Sequence, residues 1–556
     1  MIRRPLGRRL LIAVVAVLAG FSLAAADERT DKVDGLFARW DTTVTPGAQL
    51  IVIKDGRVVY ERGYGMADLE QNVIMTPATI IMMNSTSKQF TAAAIAILAR
   101  EGKLSLDDDV RKFLPELPVF AKTVTIQHMI HHTSGLRDYT ELLPLMGFEA
   151  DADCPTVEET MELLSRQKKL NFLPGERYEY SNTGYFLLGR IVERASGQSL
   201  NEFVQEHIFR PLGMTHSHIH TDHNMIVRNR AHAYSPRKDG GYRIDMTNWE
   251  QTGDGGVFTN VEDLFFWDQA FYNEKLGAGL AAELQVQGVL NDGRRNGYAF
   301  GLRIGEYRGL RTVGHSGSWV GYRSAVLRFP DQRFSVICLA NVSTLGPMER
   351  CLEVADIYLA DSFKTPAAGP APAKPAYVTL PSGELEAKAG NYQDEKRRTW
   401  IRLSAKDGGL ELEEGGETIL LRPVGSASFA ADPAVSDATL EFSGGGPRAP
   451  LKVKLAAYGE ERSLVKAPSA PGLAAAKLAE YAGTYYSPEL DMVYRLGVRG
   501  GELFVKYRNS SKSPLQAMAP DKFALDGLAF DFARKGGIRG FSMSTPSIMD
   551  IEFIRR

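Results

Sequence analysis

"MMNSTSKQFTAAAIAILAREGKL", from Met82 to Leu104, reads for most of its length as a buried helix, yet it carries Lys88 near its start, three residues after Ser85. Residues three apart on a helix share a face, so Ser85 and Lys88 can touch within the first turn. The run that follows, "FTAAAIAILA", is almost wholly apolar, so the helix is expected to be buried. A buried ammonium is costly unless it is paired or gives up its proton. A lysine with a lowered pKa can take a serine proton. A helix start also directs free N–H groups at developing negative charge. The pair therefore has the parts of an activated nucleophile. Taken alone, the same spacing also describes a capping serine with a lysine reaching solvent.

The sequence around this helix mixes strands and helices. "GAQLIVIKDGRVVYERGYG" gives two strands around the turn Asp55-Gly56, a hairpin signal. "TGYFLLGRIVERASG" is helical, with Leu188, Ile191, Val192 and Ala195 on one face and Gly197 to cap the end. "TNVEDLFFWDQAFYN" opens with Thr259 and Glu262 in capping-box spacing. "SAVLRFPDQRFSVICLAN" is two strands joined at Pro330-Asp331. Strands at both ends with helices between them predict an α+β domain built on an antiparallel sheet.

At 556 residues the chain is too long for one ordinary domain. Hydrophobic residues make up 44% and charged residues 24%, a globular composition. The net charge of −2 gives no basic footprint for nucleic acid. Residues 1–26 have an arginine-rich start, an apolar run and Ala24 and Ala26 in A-x-A spacing, which reads as a secretory signal cleaved after Ala26. A periplasmic or secreted protein is expected, with no membrane span once the signal is removed. Cys154, Cys338 and Cys351 are too few for a disulfide framework, although one bridge stays open. "KTPAAGPAPAKPAY" reads as a semi-rigid linker, and "KAPSAPG" from Lys466 as a weaker break. The expected domains are 27–363, 378–466 and 478–556, joined by linkers at 364–377 and 467–477.

The two segments after the linkers resemble each other. "LEAKAGNY" from Leu385 aligns with "LAEYAGTY" from Leu478 at an offset of 93, as do Ile401 with Tyr494 and Leu410 with Leu503. An offset near 94 brings Leu421 onto Leu515 and Phe429 onto Phe523. Matches that hold one offset point to duplication. Short apolar strands alternating with Gly turns, as in "RLGVRGGELFVKY", predict two small antiparallel β-barrels or sandwiches.

Two more stretches change the weight of Ser85 and Lys88. "YEYSNTGYF" holds Tyr180, Ser181 and Asn182 just before a helix, and "VGHSGSWVGYRSAV" holds His315, Ser316, Gly317 and Ser318 just before a strand. Ser-x-x-Lys, Tyr-x-Asn and His-x-Gly, in this order, resemble the class C β-lactamase superfamily. That group also contains penicillin-binding DD-peptidases, D-aminopeptidases and related carboxylesterases. "STSKQFTA", "HHTSGL", "RPLGM" and "DGGVFTNVEDL" look like its common phrases, and the similarity runs from about Leu36 to Val342.

The resemblance implies a β-lactamase/transpeptidase-like fold and a set of roles. Ser85 would be the acyl-accepting nucleophile. Lys88 and Tyr180 would share its proton and pass it to the leaving group, with the formal base left open. Asn182 would bond the substrate amide or Lys88, and His315 would tune Tyr180. The N–H groups of Ser85 and Ser318, beside Gly317, would form the oxyanion hole. β-Lactamases proper carry Lys-Thr-Gly where this chain has His315-Ser316-Gly317. A histidine is mostly neutral at pH 7, so the fixed charge for a β-lactam carboxylate is lost. A hydrolase followed by two small β-domains resembles D-aminopeptidases with two lipocalin-like barrels, in which a barrel loop reaches the cleft.

"THSHIHTDH" clusters His216, His218, His220 and His223, but no Cys or Glu completes a recognised spacing. No metal and no cofactor is therefore expected. The expected activity is an exported serine hydrolase working through an acyl-enzyme on small amides or peptides with D-residues. Small esters are the alternative substrates, and a non-catalytic penicillin-binding or wall-binding protein is the alternative class. The oligomeric state is left open.

Overall fold

The computed structural model describes residues 28–365 and 375–556, apart from short breaks at 395, 415–416, 433–435, 437, 446–449, 458–459, 469–474 and 509–512. The export signal expected over 1–26 and most of the first linker lie outside the described residues.

The part of the chain before the first linker is organised by one six-stranded antiparallel sheet. Its strands run, across the sheet, Arg303–Tyr307, Leu310–Trp319, Tyr322–Phe329, Phe334–Ala340, Ala48–Lys54 and Arg57–Tyr64. The first two strands in sequence are joined by Asp55-Gly56, both with positive φ, as the tight hairpin requires. The central strands are buried on both faces. From Ala48–Lys54, Leu50 and Val52 enter one core and Ile51 and Ile53 the other. Phe334–Ala340 divides likewise, with Phe334, Val336 and Cys338 opposite Ile337 and Leu339. This two-sided burial is why these strands read as continuous apolar runs rather than alternating ones.

One face is covered by the helices 28–37 and Pro347–Tyr358. The other supports the larger helical layer, with Lys88–Arg100 packed on Asn182–Ser196 at its centre. Gly197 ends the second helix with φ 77°. The helix Val261–Asn273 departs from the expected cap. Thr259 closes the strand Val257–Thr259, and Asn260 is the residue whose side chain accepts from the Asp263 N–H. Thr259 is held in that strand by pairing with Ile81, so the cap moves one residue on.

Two closed eight-stranded antiparallel barrels follow, from Gly390 to Lys466 and from Gly483 to Arg555. The duplication is visible in atomic detail. Buried Tyr392 donates to the Lys388 carbonyl at 2.6 Å, and buried Tyr485 donates to the Tyr481 carbonyl at 2.7 Å. The aligned pairs Leu410 and Leu503, Leu421 and Leu515, and Phe429 and Phe523 all fill barrel interiors.

The barrels are not equivalent in their contacts. The second shares a continuous apolar core with the helical layer. Its docking surface includes Arg137, whose Nη1 lies 2.6 Å from Glu489 Oε1, both side chains being fully buried. The hairpin Thr545–Ile548 hydrogen-bonds to Glu141 and Asn171. The first barrel leans on the second through Asn391, Arg402 and Lys522. All three cysteines are free.

Candidate active site

Ser85 lies in a 3₁₀ turn, Asn84–Ser87, and Lys88 opens the α-helix that continues from it. The expected sharing of one helical turn is therefore met across a 3₁₀-to-α junction. Gly317 makes the turn accessible to the sheet. A Cβ there would sit 2.4 Å from the Met83 carbonyl and 2.5 Å from Ser324 Oγ. Only glycine lets the strand Leu310–Trp319 approach this closely, which brings Ser316 and Ser318 to the same cleft as Ser85.

Lys88 is completely buried. Its Nζ lies 2.8 Å from Asn182 Oδ1, 2.7 Å from the Asp254 carbonyl and 3.1 Å from Ser85 Oγ. Two of these partners are carbonyl oxygens, which only accept. A neutral amine has two N–H bonds and one lone pair. With both N–H bonds committed to Asn182 and Asp254, the lone pair is left for the Ser85 hydroxyl. Burial lowers the Lys88 pKa to about 8, against the opposing charges of Asp254 and Asp138. The amine is thus near the point where it can act as a base in neutral solution.

Tyr180 is half-buried, with its ring 4.9 Å from Lys88 Nζ. Its hydroxyl lies against Ser85 but completes no well-formed hydrogen bond. Burial raises its pKa, with Ser85 pulling the other way. The phenol accordingly stays protonated where Lys88 has begun to lose its proton. Asn182 is held by Asp138, whose Oδ2 accepts from the Asn182 N–H at 2.6 Å and from Nδ2 at 3.2 Å. Asp138 also caps the next helix by accepting from Thr140 N.

His315 is buried and neutral. Burial, then the Lys88 charge, lower its pKa to about 3. Its Nδ1 lies 2.6 Å from the Ser316 carbonyl, so Nδ1 carries the proton, and Nε2 accepts from the Tyr298 hydroxyl at 2.9 Å. The ring packs 6.2 Å from Tyr180. His132, from "HHTSGL", lies closer, with 4.2 Å between its ring and that of Tyr180, and its Nδ1 accepts from the Ser181 N–H.

The structure thus brings Ser85, Tyr180, Asn182, His315, Gly317 and Ser318 around one cleft of about 620 Å³ and the small pocket beside it, with Lys88 buried behind Ser85 and Asn182. The small pocket, about 70 Å³, is walled by Tyr139, Trp249 and Trp319, with the two indoles 5.2 Å apart. Among the described residues, both linings come from the catalytic domain. The hairpin of the second barrel instead packs against the segment that carries Asp138.

Four contributors were not found by sequence reasoning. Asp138, the Asp254 carbonyl, His132 and Arg303 sit outside the three motifs. Arg303 lines the cleft, and its charge lowers the pKa of both Tyr180 and His315. Its position 12 residues before His315, on the strand paired with it, was the available signal.

The comparisons with known proteins identify the family. The Beta-lactamase family matches residues 33–358, and the chain belongs to that family. It is a serine hydrolase of the superfamily. It is similar to penicillin-binding protein 4* of Bacillus subtilis, at 32% identity over 52% of this chain and 67% of that protein. It is similar to a D-aminopeptidase of Brucella anthropi, at 30% identity over 53% of this chain and 56% of that protein. The match to a D-aminopeptidase of Gluconobacter oxydans is 27% identical and extends over 80% of both chains. Among solved structures, the octameric penicillin-binding protein homologue from Pyrococcus abyssi superposes with a TM-score of 0.54 at 27% identity. It covers 81% of this chain and 100% of that one.

Proposed function

We propose that the protein is an exported hydrolase that forms an acyl-enzyme at Ser85 from small amides or peptides carrying a D-amino-acid residue. The observation that carries this reading is the Lys88 amine, buried and held by two acceptors so that its lone pair meets the Ser85 hydroxyl. Ser85 Oγ attacks the substrate carbonyl as Lys88 takes its proton. The backbone N–H groups of Ser85 and Ser318 stabilise the oxyanion. Tyr180, still a phenol and packed on Lys88, relays the proton to the leaving amine. A water then repeats the sequence to release the acid. Asn182 holds Lys88 and offers its amide edge to the substrate, and neutral His315 keeps Tyr180 in place without adding a competing charge.

The D-aminopeptidase relatives support the D-residue reading, and the 70 Å³ pocket supports a small side chain such as a methyl group. Arg303 favours a second reading within the same chemistry, a peptide ending in a free carboxylate. The test is a fluorophosphonate probe followed by a panel of D-alanine p-nitroanilide, a D-alanyl-D-alanine peptide, p-nitrophenyl acetate and a chromogenic cephalosporin. Labelling at Ser85 that disappears in Ser85→Ala, with fastest turnover of a D-alanyl substrate, supports the reading. An unlabelled wild-type protein points to a non-catalytic relative, and preferential turnover of the acetate points to an esterase.

A further inference from the structure

The histidine-rich stretch is resolved by the fold into separate environments. His216 turns to Asp263, and His218 and His220 pair with each other at 3.2 Å. His223 points elsewhere. Its Nδ1 lies 2.7 Å from Glu250 Oε1 and 3.6 Å from Cys154 Sγ. The potential donor atoms of Cys154, His223 and Glu250 all fall within 4.8 Å of one another. These residues come from three loops: one before the helix Val157–Ser165, one after the strand His218–Ile219, and one between the strands Tyr242–Ile244 and Val257–Thr259.

We propose that Cys154, His223 and Glu250 form a zinc site that ties these three loops together beside the active site. One sulfur, one imidazole nitrogen and one carboxylate oxygen form a borderline-soft donor set that suits Zn²⁺ and not Mg²⁺ or Ca²⁺, which take oxygen donors. Zinc–ligand distances of about 2.0–2.3 Å put neighbouring donors roughly 3–4 Å apart. The Cys154–His223 separation already lies in that range, and the His223–Glu250 hydrogen bond need only lengthen slightly. On binding, the Cys154 thiol loses its proton to solvent, and the Nδ1 proton that bonds Glu250 is lost to solvent while Nε2 keeps or takes up the ring's one remaining proton, so the neutral imidazole offers the Nδ1 lone pair to the metal. His223 also borders a cavity of about 200 Å³, which offers room for a fourth ligand.

The site adjoins the catalytic machinery. Glu250 follows Trp249, which lines both this cavity and the small catalytic pocket. Four residues further on, the Asp254 carbonyl holds Lys88. Zinc would therefore stiffen the wall of the substrate pocket without touching the reacting atoms.

The experiment uses the full chain, stripped with chelator and titrated with Zn²⁺ against a chromophoric competitor. Cys154 is the one exposed cysteine of the three, so alkylation by iodoacetamide reports on it. The expected result is one zinc per chain, protection of Cys154 from alkylation by zinc, and a thiolate-to-metal charge-transfer band with Co²⁺. Cys154→Ser should lose that band. Cys154→Ser and Glu250→Gln should each weaken zinc binding by more than the roughly 10–100-fold typical of losing an outer partner of a metal ligand. His216→Gln should bind as wild type, and labelling of Ser85 shows that each variant is folded. If Cys154→Ser fails to fold, protection of Cys154 in the wild-type chain decides the question. The proposal is overturned if zinc leaves Cys154 as reactive as before, or if folded Cys154→Ser and Glu250→Gln bind zinc as tightly as wild type.

Discussion

Glu489→Gln tests whether the second barrel holds the proposed catalytic residues in place. Glu489 is the counter-charge of Arg137 in an interface closed to solvent on both sides. The guanidinium also donates to Gln167 Oε1 and to the carbonyls of Met549 and Asp550, while Glu489 Oε1 accepts from the Lys168 N–H at 2.9 Å. Neutralising Glu489 leaves a buried cation facing only neutral dipoles. Breaking a buried pair from one side costs about 3–5 kcal/mol. Because Gln keeps the shape and one acceptor, Glu489→Gln should lie near 3 kcal/mol and Glu489→Ala nearer 5. At about 1.4 kcal/mol per tenfold, local opening should rise by roughly two orders of magnitude for Glu489→Gln and between three and four for Glu489→Ala. The amides to follow by hydrogen exchange are Lys168, bonded to Glu489, and Tyr139, bonded to Thr183 Oγ1. Asp138 lies next to Arg137 and holds Asn182, which holds Lys88. The loosening should therefore reach kcat, by roughly tenfold or more for D-alanine p-nitroanilide. Exchange within threefold of wild type at both amides in both variants would refute the energetic argument. Fast exchange with unchanged kcat would refute the link from barrel to site.

Lys88 at about 8 implies that acylation rises about tenfold between pH 7 and pH 9 as the amine becomes free, which burst kinetics with an ester would show. The same lowered pKa makes the folded state bind fewer protons than the unfolded chain between about 8 and 10.5, so this group's contribution to stability increases with pH across that window, as urea midpoints should record. Arg303→Ala should slow substrates that end in a carboxylate at least about tenfold while sparing D-alanine p-nitroanilide, because a charge-assisted contact is worth roughly 1.5–3 kcal/mol; equal effects on both would remove Arg303 from substrate recognition. Truncation after Lys364 should yield an aggregating catalytic domain, since the apolar core shared with the second barrel is then exposed; a monodisperse truncated protein with wild-type Tm would contradict this.

The residues proposed to carry the chemistry, Ser85, Lys88, Tyr180, Asn182 and the His-x-Gly strand, were all legible as motifs in the chain, because each motif is local and its spacing puts side chains on one turn or one strand. The paired barrels were legible too, because duplication leaves a fixed offset in the buried tyrosines and leucines that fill them. What the chain could not show are relations across long separations. The Asp254 carbonyl that orients Lys88 is a backbone atom 166 positions away, and no residue type marks a carbonyl. The cap at Asn260 rather than Thr259 depends on strand pairing with Ile81. The choice of the second barrel as the docked one rests on a buried Arg137–Glu489 pair whose members are 352 residues apart. Cys154 and Glu250 meet His223 only because three loops converge. Sequence by itself determined which chemical groups are available, through patterns of hydrogen bonding and burial that repeat over a few residues. Tertiary structure decided which of them face one another, because burial lowers the pKa of Lys88 and loop packing directs its lone pair at Ser85 only once the chain has closed around them.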